Sequence, residues 1–91
     1  MSGLVGPPRQ RIIETEIGAE ISLYDPSSER VLVLNTTASD VWRLADGTRT
    51  VNEIVALLSQ SYEVEPGTIA GDVENAVTRL RDEGMLEGGD S

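Results

Sequence analysis

Val31-Leu32-Val33-Leu34-Asn35-Thr36-Thr37-Ala38-Ser39-Asp40-Val41-Trp42 is the stretch on which the fold turns. Its first four residues are branched apolar side chains over a strand's length. Hydroxyl side chains come next, and then Ala38, Val41, Trp42 and Ala45 recur at i, i+3, i+4 and i+7, the spacing of one helix face. The sequence therefore predicts a strand that passes into a helix with almost no loop, capped by Thr36 or Thr37. Everything upstream reads as strand and turn, and everything downstream as helix and turn.

Upstream, Ile13, Thr15 and Ile17 fall on one face at period two and Glu14 and Glu16 on the other, the pattern of a half-buried strand with a solvated side. Gly18 interrupts it. After a tight turn, Ala19, Ile21 and Leu23 alternate with Glu20, Ser22 and Tyr24 in a second strand. Asp25-Pro26-Ser27-Ser28-Glu29 has no apolar residue and opens with the turn-initiating Asp-Pro, so it predicts an antiparallel hairpin into Arg30 to Leu34. Residues 1–10, with Gly3, Gly6, Pro7 and Pro8, read as a flexible arm.

Downstream, Asp46-Gly47 ends the first helix. Thr50 with Glu53 forms a capping box, and Val51, Ile54, Val55 and Leu58 give the stripe of a second helix from about Val51 to Tyr62. Pro66 suits the first position of a third helix, with Ile69, Val73, Ala76, Val77 and Leu80 on one face and a stop at Gly84. Met85 and Leu86 fold back on the core, and residues 87–91 are tail. The expected fold class is α+β, a winged helix-turn-helix in which a three-stranded antiparallel sheet precedes three helices, forming one domain over residues 11–86.

Bulk properties narrow the function. Ninety-one residues suffice for one domain, and a chain of this length buries only about 60% of its unfolded surface, which leaves little for a deep cleft. Sixteen carboxylates against seven Arg and no Lys give a formal charge of −9, a field that repels phosphate backbones and anionic lipid. Neither nucleic acid nor a membrane is an expected partner. With no Cys and no His, thiolate nucleophiles and the usual zinc sites are absent, and acid–base work near neutral pH would fall to carboxylates of raised pKa or to Tyr24 and Tyr62. No paired carboxylates have apolar surroundings, so no enzyme, no catalytic residue, no metal and no cofactor is expected. No targeting or spanning segment is visible, which makes the cytoplasm the default.

The third strand then becomes the point of interest. Val31 and Val33 point one way and Leu32 and Leu34 the other, so neither face is polar. If it is an edge, it lacks the Lys, Pro or bulge that usually blunts one. Two readings stand at this point: the strand is buried under the third helix, or another chain pairs with it by strand addition. In the second, Val73, Ala76, Val77 and Leu80 of the third helix supply an apolar wall. The helix pair from Thr36 to Tyr62 also has helix-turn-helix spacing, and the runner-up is a winged-helix DNA-binding regulator or a general protein-interaction module without a peptide ligand. Against the regulator, helix 2 carries no basic residue, and Arg79 and Arg81 sit among Asp72, Glu74, Asp82 and Glu83. An acidic carrier protein would need an Asp-Ser-Leu attachment site at a helix start, and none is present.

Leu34-Asn35-Thr36-Thr37-Ala38 to Trp42, then Asp46-Gly47-Thr48-Arg49-Thr50-Val51 with Glu53-Ile54, Tyr62, Asp72-Val73, and Leu80 with Gly84-Met85-Leu86, together resemble the PqqD-like family. That family includes the recognition elements for ribosomally made, modified peptides, and the resemblance spans about Ile13 to Leu86. It implies a domain that binds the leader segment of a precursor peptide as an added strand against strand 3 and helix 3. The same resemblance implies that the domain delivers the precursor to a separate enzyme, a leader peptidase in lasso-peptide pathways or a radical enzyme in others. Carried over by position, the peptide-binding residues are Arg30, Val31, Leu32, Val33 and Leu34 on the strand, and Asp72, Val73, Ala76, Val77 and Arg79 on the helix. Lasso-type members often have aromatic residues in strand 3, where this chain has Val31, Leu32 and Val33.

Overall fold

In the computed structural model, which describes residues 3–87, the chain forms β1 (Ile13–Ile17), β2 (Glu20–Asp25) and β3 (Arg30–Leu34), followed by α1 (Thr36–Leu44), α2 (Val51–Tyr62) and α3 (Pro66–Asp82). The sheet is antiparallel with order β1-β2-β3, so β3 is an edge. This is the α+β class expected, with each strand and helix where the spacing placed it.

Local chemistry accounts for the boundaries. The Asn35 side chain, not Thr36 or Thr37, caps α1 by accepting from the Ala38 N–H at 2.8 Å. Asn35 is extended while both threonines already have helical backbone, so only its side chain can turn back to an orphan amide. At α2 the capping box is complete, with the Thr50 hydroxyl accepting from Glu53 N–H and the Glu53 carboxylate accepting from Thr50 N–H. Pro66 opens α3, and Gly84 at φ +76° turns the chain back so that Met85 and Leu86 lie in the core, both essentially inaccessible.

The register corrects the expected orientation of β1. Gly18 at φ +64° makes a two-residue turn, which sets Ile17 opposite Glu20, Glu16 opposite Ile21 and Glu14 opposite Leu23. Because opposed residues share a face, Glu14 and Glu16 lie on the helix side, and Ile13, Thr15 and Ile17 lie on the outer side. All five β1 residues are exposed. The strand overhangs the helices, and its glutamates serve α1: the Trp42 indole N–H donates to Glu14 at 2.8 Å, and Arg43 lies 3.7 Å from Glu16. The outer face is consequently apolar, with Ile13, Ile17, Tyr24, Val31 and Val33 exposed.

The segment ahead of β1 also differs from the free arm expected of residues 1–10. Val5 is wholly buried, its N–H donating to Arg49 O at 2.7 Å and its carbonyl accepting from Gly47 N–H at 2.8 Å. Pro8 pairs with Leu86, and Arg9 N–H donates to Met85 O. Met1 and Ser2 lie outside the described residues, as does the expected tail from residue 88 onward.

One core joins Ile21, Leu23, Leu32 and Leu34 of the sheet to the buried faces of all three helices. Measured by Cα separations within 8 Å, the sheet meets the helices only through α1, which also contacts α2 and α3. Trp42 is part of that core, as its place in the helical stripe implied. α1 thus acts as a spacer that holds β3 and α3 on its two sides.

Candidate functional site

The direction of each amide in β3 can be traced to one buried hydroxyl. Ser39, fully inaccessible in α1, accepts from Ile21 N–H at 2.9 Å and donates to Leu34 O at 3.2 Å. Ile21 therefore turns its amide toward β3, and by alternation along the ladder so do Leu23 and Asp25. Their partners Leu34, Leu32 and Arg30 turn theirs toward β2. Val31 and Val33 are left with N–H and C=O groups aimed out of the sheet, along an edge with no Pro, no Lys and no bulge.

Opposite that edge stands α3. Arg30 forms an ion pair with Glu83 just past the helix end, and a cleft of about 240 Å³ at the other end of β3 is lined by Leu34, Asn35, Ala38, Asp72, Ala76 and Arg79, together with Thr37 and Asn75. The strand and helix thus run antiparallel alongside each other. Yet no Cα of β3 comes within 8 Å of any Cα of α3. An added strand would lie about 4.8 Å out from the β3 edge. The floor between strand and helix is the start of α1, where Ala38 is small enough to leave the cleft open.

The hairpin that presents β3 is itself pinned. Asp25 accepts at one carboxylate oxygen from Ser27 N–H at 3.0 Å and Ser27 O–H at 2.8 Å, and the Arg11 guanidinium donates to it at 2.9 Å. The hydrogen bond from Arg11 is the largest cause, followed by those from Ser27, that hold the Asp25 carboxyl well below the usual carboxylate range.

The residues singled out from the sequence divide by location. Arg30, Asp72 and Arg79 are exposed along the groove, Val31 and Val33 turn their main chain to the open edge while their side chains are exposed on the outer face, and Ala76 lines the cleft while almost fully buried. Leu32 and Leu34 direct their side chains into the core. Val73 and Val77 are also core residues and do not line the cleft, so the helix wall is narrower than the apolar stripe suggests. Asn35, Thr37, Ala38 and Asn75 are additions that the sequence reading does not contain. Asn75 is within reach of a spacing argument, since it lies three residues after Asp72 and four before Arg79, on the row flanking the apolar stripe. Among the described residues, no cluster of His, Cys, Asp or Glu is arranged to hold a metal ion, and no helix is long and apolar enough to cross a membrane.

Compared with known proteins, residues 20–86 match the family described as Coenzyme PQQ synthesis protein D (PqqD). None of the curated proteins matches the chain. Three solved structures are similar in fold. One is TbiB1 in complex with the TbiA(beta) leader peptide, at 21% identity over 92% of this chain and 98% of that one, with a TM-score of 0.78. Another is lasso peptide synthetase B1 complexed with the leader peptide, at 24% identity over 90% and 96%, with a TM-score of 0.75. The third is the PqqD truncation of Methylobacterium extorquens PqqCD, described as a functional and stand-alone recognition element for ribosomally synthesized and post-translationally modified peptides. It is 26% identical over 92% of this chain and 89% of that one, with a TM-score of 0.72.

Proposed function

The chain belongs to the PqqD family, and we propose that within it the protein is a non-catalytic adaptor that binds the leader segment of a ribosomally synthesized precursor peptide as a fourth strand on β3. The observation that carries this reading is the outward-facing main chain of Val31 and Val33 on an edge strand that, among the described residues, no other element pairs with. The leader-bound state of two similar structures supports it.

Magnitudes indicate how the leader is held. Two outward residues offer about four main-chain hydrogen bonds, each contributing roughly 0.5 to 1.5 kcal/mol net. Ordering the peptide costs roughly 1 to 2 kcal/mol per residue, which cancels that gain. A micromolar complex needs about −8 kcal/mol, so most of the affinity comes from leader side chains packed over Ala76 and Ala38 in the cleft. Backbone pairing sets register and direction, while the cleft sets identity.

The attached core peptide is then presented to a processing enzyme, a leader peptidase of a lasso-type pathway or a radical enzyme, in the cytoplasm. Capture works by raising the local concentration of substrate and requires no chemistry from this chain. An amide-resolved NMR titration of the labelled domain with synthetic leader peptides from neighbouring precursor genes tests the proposal. Saturable shifts concentrated in residues 30–35 and 72–79 are expected; shifts confined to other surfaces, or none with any leader, would refute strand addition here.

A further inference from the structure

The groove's charges are not those of the molecule. In a chain of net charge −9, three of the seven arginines, Arg11, Arg43 and Arg49, are ion-paired with carboxylates of their own neighbourhood. Arg30 and Arg79 stand on the two walls of the groove. Arg79 lines the cleft and, among the described residues, makes no ion pair or side-chain hydrogen bond, although Glu83 lies one helical turn further on the same face. Glu83 instead reaches across the gap to Arg30. Since β3 and α3 do not approach each other, this is, among the described residues, the ion pair that spans the groove. Asp72 lines the same cleft as Arg79, about 10 Å before it along the helix.

We propose that the groove selects leader segments carrying an Asp or Glu within reach of Arg30 or Arg79, and that Glu83 is a built-in stand-in for the acid opposite Arg30, displaced when the leader enters. This rests on the strand-addition reading and adds the chemical class of the ligand. Two features carry it: a guanidinium on α3 that forms no ion pair among the described residues, and a second on β3 already paired with a carboxylate from across the groove. The long-range field of −9 repels an acidic peptide, so the two arginines also offset locally what the whole surface opposes. Because exposed ion pairs are weak, each arginine should change affinity by roughly two- to fivefold. That is enough to rank leaders and too little to bind one alone.

The test is selection of displayed random decapeptides on the full-length wild-type chain and on Arg30→Gln, Arg79→Gln and Glu83→Gln, all exposed or half-exposed positions whose folding circular dichroism verifies. The expected result is apolar, strand-forming peptides with Asp or Glu enriched at the positions facing the two arginines on the wild type, and loss of the matching enrichment on Arg30→Gln or Arg79→Gln. Synthetic versions of the selected peptide should bind Glu83→Gln roughly two- to fivefold more tightly, and the same peptide with Gln at the acidic position facing Arg30 should show no such gain. Strand-forming peptides without acidic enrichment, or with the same enrichment on the arginine variants, would overturn the charge selection while leaving strand addition standing. Enrichment of no peptide at all would overturn both.

Discussion

Two buried side chains, Ser39 and Asp25, each fasten the sheet to a neighbouring segment, and each can be tested alone. The Ser39 hydroxyl is shared between an amide of β2 and a carbonyl of β3, so Ser39→Ala leaves both groups without a partner in the core. Orphaning buried polar groups costs about 1 to 3 kcal/mol, and denaturant unfolding should show a loss of that size. Asp25 gives a pH signature. Its native pKa lies below the unfolded value, so its contribution to stability is complete above about pH 4 and is lost as pH falls from there toward the depressed native value. Asp25→Asn should be less stable than wild type at neutral pH, and the difference should shrink steadily as the solution is acidified below the ordinary carboxylate range; an equal gap at neutral and strongly acid pH would contradict the assignment. Neither role is legible from composition. Ser39 sits in a helical run where serine has no obvious task, and only the β2 register brings Ile21 to it. Asp25 reads as a turn former, which it is, but Arg11 is fourteen residues away and meets it through the sheet.

At the scale of elements, strand and helix spans are legible because period and punctuation agree: Thr50 with Glu53, Pro66 and Gly84 each mark an end that the structure has. The face that β1 buries is not, because period two fixes alternation but not which side meets the core. The two-residue Gly18 turn decides that, by setting the glutamates opposite Leu23 and Ile21. The same alternation sharpens the expectation for β3. Proline at Val31 or Val33 removes an N–H that points away from β2, so the fold should survive and peptide binding should be lost. Proline at Leu32 removes a ladder bond of the sheet itself and should unfold the domain. Circular dichroism and binding of a leader peptide distinguish the two classes, and normal binding by folded Val31→Pro and Val33→Pro would rule out strand addition. On the facing helix, Ala76→Trp should fill the cleft and abolish binding with little loss of helix content.

Across the whole molecule, stability and binding are placed on opposite sides of α3. The segment from Leu4 to Arg9 clamps the α1–α2 connection to the residues after α3, through Val5 with Gly47 and Arg49 and through Arg9 with Met85. Its hydrogen bond to α3 is the Leu4 carbonyl, which accepts from Arg81. Arg81 lies two residues beyond Arg79 and so about 200° around the helix from the groove. In sequence the segment looks free because one Val among Gly and Pro has no period to read. Those same residues fit it to its seat: Gly6 has φ +88°, and a Cβ there would lie 2.1 Å from Ala45 O. Gly6→Ala should therefore undock the strap, and Val5→Ala should cost roughly 2 kcal/mol for the methyl groups withdrawn from a fully buried site. All three variants are to be measured where they remain folded: Gly6→Ala and Val5→Ala should bind a leader peptide as wild type does, whereas Ala76→Trp should lose binding. A drop in affinity on Val5→Ala equal to its drop in stability would mean that the strap and the groove form one cooperative unit. Independence is expected because α1, not the strap, holds β3 and α3 apart.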